Sequence, residues 1–184
     1  MQNLDNLSIY LEHLFAALRQ TVDDEVWVQY DGPPQHPERV AVSIGSPEII
    51  TSDSSGDGRL QQTLKIRLTI YVPNETPASA LALAKMAHLL FSMLNDSSFL
   101  QSMLANIDAQ HLAQKSVEAS IDKPYQIHGY PFQARSTAMS YAIQYQQVVR
   151  YGALEQERYQ LHSIVCQESQ QEEIILYESD QNTP

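Results

Sequence analysis

The chain is poor in the residues that brace small domains or grip nucleic acid. It holds one cysteine, Cys166, among 184 residues. One thiol closes no internal disulfide and builds no thiolate zinc cluster. The fold must therefore stand on its core, and a domain of this length buries roughly 70% of its unfolded surface, enough to need no staple. Lys and Arg number 11 against 22 Asp and Glu, a formal net charge of -11. The bases stand singly, without the cluster that neutralises neighbouring phosphates, so tight nucleic-acid binding is disfavoured. The most apolar stretch, 81–94, is broken by Lys85, His88 and Ser92, and it is shorter than the ~20 residues a bilayer crossing needs. The start, Met1-Gln2-Asn3-Leu4-Asp5, lacks the basic and apolar regions of a signal peptide. A cytoplasmic protein in reducing surroundings, with no membrane partner, is the expectation.

Motifs for catalysis are missing as well. The six histidines, at 13, 36, 88, 111, 128 and 162, do not pair at metal-ligand spacing. There is no Gly-x-Ser-x-Gly elbow and no phosphate loop ending in Gly-Lys-Ser or Gly-Lys-Thr. His88 lies in an apolar stretch with no evident partner and reads as a partly buried structural residue. Asp53-x-Ser55-x-Asp57-Gly58 copies the opening of a calcium loop. Such a loop needs a bidentate carboxylate at its twelfth position, and here that position is Leu64. A polar, mobile loop is the better reading. No catalytic residue, cofactor or metal is expected.

What the chain does have is alternation. Leu64, Ile66, Leu68, Ile70 and Val72 alternate with Lys65, Arg67 and Thr69, which puts an apolar row on one face of a strand. Met139, Tyr141, Ile143, Tyr145, Val149 and Tyr151 do the same later, with Gln147 as the exception. Between them, 78–95 is rich in Ala and Leu and apolar on most sides, which predicts a buried helix with Leu83, Ala87, Leu90 and Leu94 as its ridge. Thr76-Pro77 supplies its start. Earlier, Leu4, Leu7, Leu11, Leu14 and Leu18 form the stripe of an amphipathic helix, with Asn3 or Asp5 as cap. The acidic run Asp23-Asp24-Glu25 marks its exit.

Val26–Tyr30 and Val40–Ile44 read as antiparallel strands joined by a Pro-rich loop. A short strand at 49–51, a short helix over 99–107 and a strand at 117–121 are weaker expectations. Residues 123–132 read as an aromatic, turn-bearing stretch. The whole predicts an α+β domain over 1–152: a mixed, mainly antiparallel sheet of four to five strands with helices packed on one face. Residues 153–184 form an acidic extension, with seven carboxylates against Arg158. Tyr159–Cys166 and Ile174–Tyr177 read equally as a hairpin around Gln167–Gln171 or as one helix and a strand, with partial disorder as a further expectation, and the extension reads as a solvated tail or an acidic docking surface.

Two features tilt toward assembly. Tyrosine is abundant, and Tyr141, Tyr145 and Tyr151 share one strand face; such a row is core or interface. The opposite face of that strand, Ser140, Ala142, Gln144 and Gln146, is small and uncharged, where a solvated face usually carries Lys and Glu.

The order of these elements resembles that of phage tail terminator (tail completion) proteins. The residues carrying the resemblance are the helix Leu4–Leu18, the strands Trp27–Tyr30 and Val40–Ile44, and the loop Ser52–Arg59. The strand Leu64–Val72, the helix Ala78–Leu94 and the strand Met139–Tyr151 complete it, over about the first 150 residues. The tail 153–184 departs from the pattern. The resemblance implies a protomer of a hexameric ring that caps the tail tube, stops its polymerisation and joins the head connector, without catalysis. Its partners would be other copies of itself, the tube protein, a head-completion protein and, in contractile tails, the sheath. It would work in a bacterial host's cytoplasm and then in the virion tail. Asp53, Asp57, Arg59, Gln144 and Gln146 are the candidate interface residues. The rival reading is a small cytoplasmic adaptor or ligand-binding module without catalysis.

Overall fold

The structure, a computed structural model, describes residues 4, 6–32, 34–56, 58–73, 78–96, 99, 103, 120–131, 138–152, 163–167 and 173–178. The chain forms two compact units, Met1–Ala153 and Leu154–Pro184.

The first unit opens with helix α1 (Leu7–Thr21). Its cap is Asn6 rather than Asn3 or Asp5. The Asn6 carboxamide oxygen accepts from the Ser8 and Ile9 amides at 3.0 and 3.2 Å, satisfying donors that the first turn leaves open. Arg19 in the last turn reaches back to the Val26 carbonyl at 2.9 Å. The buried face is Tyr10, His13, Leu14, Ala17 and Leu18, with Leu7 and Leu11 only partly covered. The face is rotated from the leucine stripe because Tyr10 and His13, amphipathic side chains, turn inward.

Strands β1 (Trp27–Tyr30) and β2 (Ala41–Ile44) pair in parallel, not antiparallel. Ten residues separate them, long enough to return the chain to the start of a four-residue strand, so no tight turn forces reversal. The loop folds back on itself. His36 packs edge-on against Trp27 at 4.7 Å, and the Gln29 amide bonds Gly32 O and Gln35 N.

Strands β3 (Glu48–Ser54) and β4 (Leu60–Pro73) form a hairpin. β2 pairs with residues 68–71 of β4, and β3 with residues 60–65. Both are antiparallel to β4 on the side away from its other neighbour. They therefore make one file, broken at 45–47, where the Gly45 amide still bonds Arg67 O at 2.8 Å.

Helix α2 (Ser79–Asn95), β5 (Tyr125–Pro131) and β6 (Ala138–Tyr151) complete the unit. The sheet has six strands in the order β1-β2-β4-β6-β5, with β3 beside β4. β5 is the strand beyond the four or five expected. β4 and β6 pair antiparallel over their full 14 residues, Leu60↔Tyr151 to Pro73↔Ala138. Residues 125–131 form a strand where sequence suggested turns. Gly129 is needed there because a Cβ would lie 2.6 Å from the Tyr141 ring and 2.8 Å from Phe91 of α2. Pro131 sits at the end of an edge strand, where its missing N–H is tolerated.

The core lies between this sheet and the two helices on one of its faces. The even positions of β4, Leu64 to Val72, meet the odd positions of β6. Leu64, Ile66, Leu68 and Ile70 are wholly buried, as are Ile143, Tyr145 and Val149. Each such aliphatic side chain contributes ~1.5–3 kcal/mol of burial before entropy is counted. The tyrosine row belongs to this core: Tyr145 and Tyr151 are buried, and Tyr141 packs at its margin.

α2 corrects an expectation. It is buried only at Ser79, Leu90, Met93 and Leu94. Leu83 and Ala87 are partly covered, while Leu81 is 59% exposed and Leu89 36%. A helix lying on an open sheet in a single layer keeps one side to solvent, however apolar that side is.

Phe99 and Met103 are buried, and Ile121 makes a single bridge to Val149. The rest of the expected short helix 99–107, the start of the expected strand 117–121, and Thr76-Pro77 lie outside the described residues. In the second unit, β7 (Ser163–Gln167) and β8 (Glu173–Glu178) pair antiparallel, from Ser163↔Glu178 to Gln167↔Glu173.

Candidate assembly surface

The face of the sheet opposite the helices carries the odd positions of β4 and the even positions of β6. Cross-strand neighbours share a face, so rows can be read across it. Glu48, Lys65, Gln146 and Tyr125 form one row, and Arg67, Gln144 and His128 the next. Lys65 and Glu48 are bridged at 3.0 Å, and the His128 ring Nε2 lies 3.1 Å from Gln144 Oε1. Ser140 and Ala142 are buried although they point away from the helices. They are small side chains opposite Tyr71 and Tyr130, which shade them. Gln144 and Gln146 are half-buried beside them.

The β3–β4 arm is different in kind. All seven residues of β3 are exposed, with Ile49 at 47% and Ile50 at 43%. Leu60, opposite Ser54, is 49% exposed. Among the described residues β3 pairs only with β4, because β1 covers β2 and stops at the break. A seven-residue edge with unpaired backbone groups is a template for another strand. The register shifts between Ile49 and Thr51, leaving Ile50 as the extra residue of a bulge.

The sequence-derived interface residues are scattered over these two regions. Asp53 is exposed near the tip of β3, opposite Gln61. The tip is closed by Ser55 N to Arg59 O and Gly58 N to Ser55 O, both 2.9 Å. Asp57 lies outside the described residues. Arg59 is buried and donates from Nη1 to Ser120 Oγ at 2.8 Å, so it braces the tip against residue 120. Gln144 and Gln146 stand in the middle of the far face. Sequence reasoning missed Ile49, Ile50 and Leu60. The adjacent pair Ile49-Ile50 was the available signal, since neighbours in a strand point to opposite faces and one of them must leave the core.

The platform behind this surface is held by a buried polar link. Tyr10 donates to Gln147 Oε1 at 2.5 Å, and Gln147 Nε2 donates to the Asp122 carbonyl at 2.8 Å. The Asp122 carboxylate takes a two-pronged contact from Arg150 at 2.7 and 3.1 Å. Burial raises the Tyr10 hydroxyl well above its ordinary pKa, with the nearby Tyr145 adding to the effect. Burial also pushes Tyr151 up to about 12. At the break between β2 and β3, the Ser46 hydroxyl donates to the Asp31 carboxylate at 2.9 Å and holds that carboxyl below its ordinary pKa. These shifts follow from burial and from the hydrogen bonds just described.

No family model matches the chain, and no curated protein matches it in sequence. Among solved structures it is similar to the sheath/tube terminator, in the extended state, of an extracellular contractile injection system designated PVC. That match has a TM-score of 0.35 and 10% sequence identity, over 93% of this chain. The chain spans 66% of the length of that protein.

Proposed function

We propose that this chain is the subunit of a closed homomeric ring, hexameric by its resemblance to tail terminators, that caps a tail tube. The ring ends tube polymerisation and offers the joining surface for a head connector, and in a contractile tail it also meets the sheath. No chemistry is asked of it.

The observation that carries this reading is the pair of unlike edges on one sheet. β3 leaves an exposed seven-residue edge on one side, and β5 ends the sheet on the other. A two-fold dimer uses the same patch twice, whereas two unlike edges meet head to tail and close into a ring when the rotation permits. Strand addition at such edges supplies backbone hydrogen bonds, and exposed side chains such as Ile49, Ile50 and Tyr125 supply specificity. Gln144 and Gln146 on the far face, and Asp53 at the arm's tip, are the proposed polar contacts to a neighbour or to the tube. The Arg59 guanidinium serves by holding the tip in place.

Negative-stain images of the full chain mixed with purified tail tubes test this reading. Rings seated at one end of each tube, with tube elongation arrested, are the expected result. Tubes that keep growing with bare ends refute it.

A further inference from the structure

We propose that a cleft beside α2 docks a basic, amphipathic segment of a partner protein. The cleft has a volume of about 710 Å³ and lies between α2 and the corner that follows α1. Its apolar lining is Val26, Val40, Ala82, Met86 and Leu89. The last three recur at helical spacing and form one stripe of α2. Leu89 is 36% exposed, while Ala82 and Met86 are partly covered against the core, so the stripe opens to water at its Leu89 end. A cleft of this size takes one or two large side chains from a docked segment.

The charge around it selects the occupant. Asp23, Asp24, Glu25 and Glu38 line it, against Arg39 and Lys85. Asp23, Asp24 and Glu25 are all exposed and follow directly on Val22, the C-cap of α1. That is the negative end of the helix dipole, where negative charge is disfavoured, and local rules are broken most often at functional sites. The potential there favours cations. A second copy of this chain is a poor occupant, because it carries 22 acids against 11 scattered bases. Anionic lipid and nucleic acid are repelled for the same reason. A segment with apolar anchors at helical spacing and Lys or Arg between them satisfies both the stripe and the rim.

The test uses the full chain and a fluorescein-labelled synthetic peptide of leucines at helical spacing with lysines elsewhere, read by anisotropy. Leucine/glutamate and serine/lysine versions serve as comparisons. The leucine/lysine peptide is expected to bind, and its counterparts to bind far more weakly. Glu25→Lys is expected to weaken binding by about tenfold, and Leu89→Asp, at an already exposed position, by at least as much. Glu12→Lys makes the same charge change about 15 Å away along α1, at another exposed acid, and it is expected to leave affinity within about twofold. Equal weakening by Glu25→Lys and Glu12→Lys overturns the proposal in favour of general charge attraction. Equal binding of the glutamate peptide, or no binding by any peptide, overturns it too. Light scattering on the same samples reads ring formation separately, so either idea can fail while the other stands.

Discussion

Gln147 is wholly buried in an otherwise apolar row, and its two hydrogen bonds tie α1 and residue 122 to β6. Gln147→Leu removes both bonds and leaves the Tyr10 hydroxyl and the Asp122 carbonyl in need of partners. A net bond is worth about 1 kcal/mol, and each stranded buried group costs about 1–3 kcal/mol. The leucine recovers part of this through apolar burial, and the Tyr145 hydroxyl beside Tyr10 offers partial relief. The expected loss is about 2–4 kcal/mol, a large part of the ~5–15 kcal/mol that holds a domain together. Tyr10→Phe strands only the Gln147 oxygen and should cost about 1–3 kcal/mol. In the double variant neither group of that pair is stranded, so its cost should fall short of the sum by about 1–2 kcal/mol. Urea unfolding followed by circular dichroism measures all four corners of the cycle. An additive result, within about 0.5 kcal/mol, refutes the reasoning. So would a change in the urea dependence large enough to show that the unfolded state had moved instead.

Further outcomes follow from the same geometry. Leu68 is wholly buried between Ile44 and Ile143; Leu68→Asp should leave the chain insoluble or unfolded, and a soluble product with unchanged melting contradicts the strand assignment. Gly129→Val drives a Cβ into Tyr141 and Phe91, so thermal unfolding should report a loss of about 1–3 kcal/mol; no loss would mean that α2 and β5 do not meet as described. His13 is buried with no partner on its Nε2 among the described residues, and burial lowers its pKa despite the adjacent Glu12. Its folded pKa is therefore below the unfolded value of about 6.5, the unfolded chain binds the proton first, and stability falls as pH drops through that value until the folded pKa is passed. His13→Leu should flatten this part of the profile in urea titrations at several pH values, and an unchanged slope would show that other groups set it.

The two long strands were legible because period-two alternation is a local signal, and their facing parity, even in β4 and odd in β6, follows from it directly. Gln147 was legible only as an interruption. Its reason is Tyr10, 137 residues away, and no local pattern announces a partner at that distance. The direction of β1 against β2 was misread because a ten-residue loop permits either pairing. Gly129 and Pro131 read as turn residues, yet one makes room for two rings and the other ends an edge strand. The exposure of α2 was not legible at all: its composition says apolar, and only the fold says how much of it is left uncovered. For the assembly surface, charge and loop character drew attention to Asp53 and Arg59. The structure adds the doublet Ile49-Ile50 and shows that Arg59 faces inward.

Light scattering over a concentration series, with and without tail tubes, tests the ring most directly when the chain is compared with Ile49→Lys/Ile50→Lys. Both positions are exposed, so the fold should tolerate the change, while lysines on an edge strand block strand addition. The parent chain should reach the mass of six 20.8 kDa subunits, and the variant should remain a monomer with unchanged circular dichroism. A parent that stays monomeric under every condition, or a variant that assembles as the parent does, contradicts an assembly built on the β3 edge.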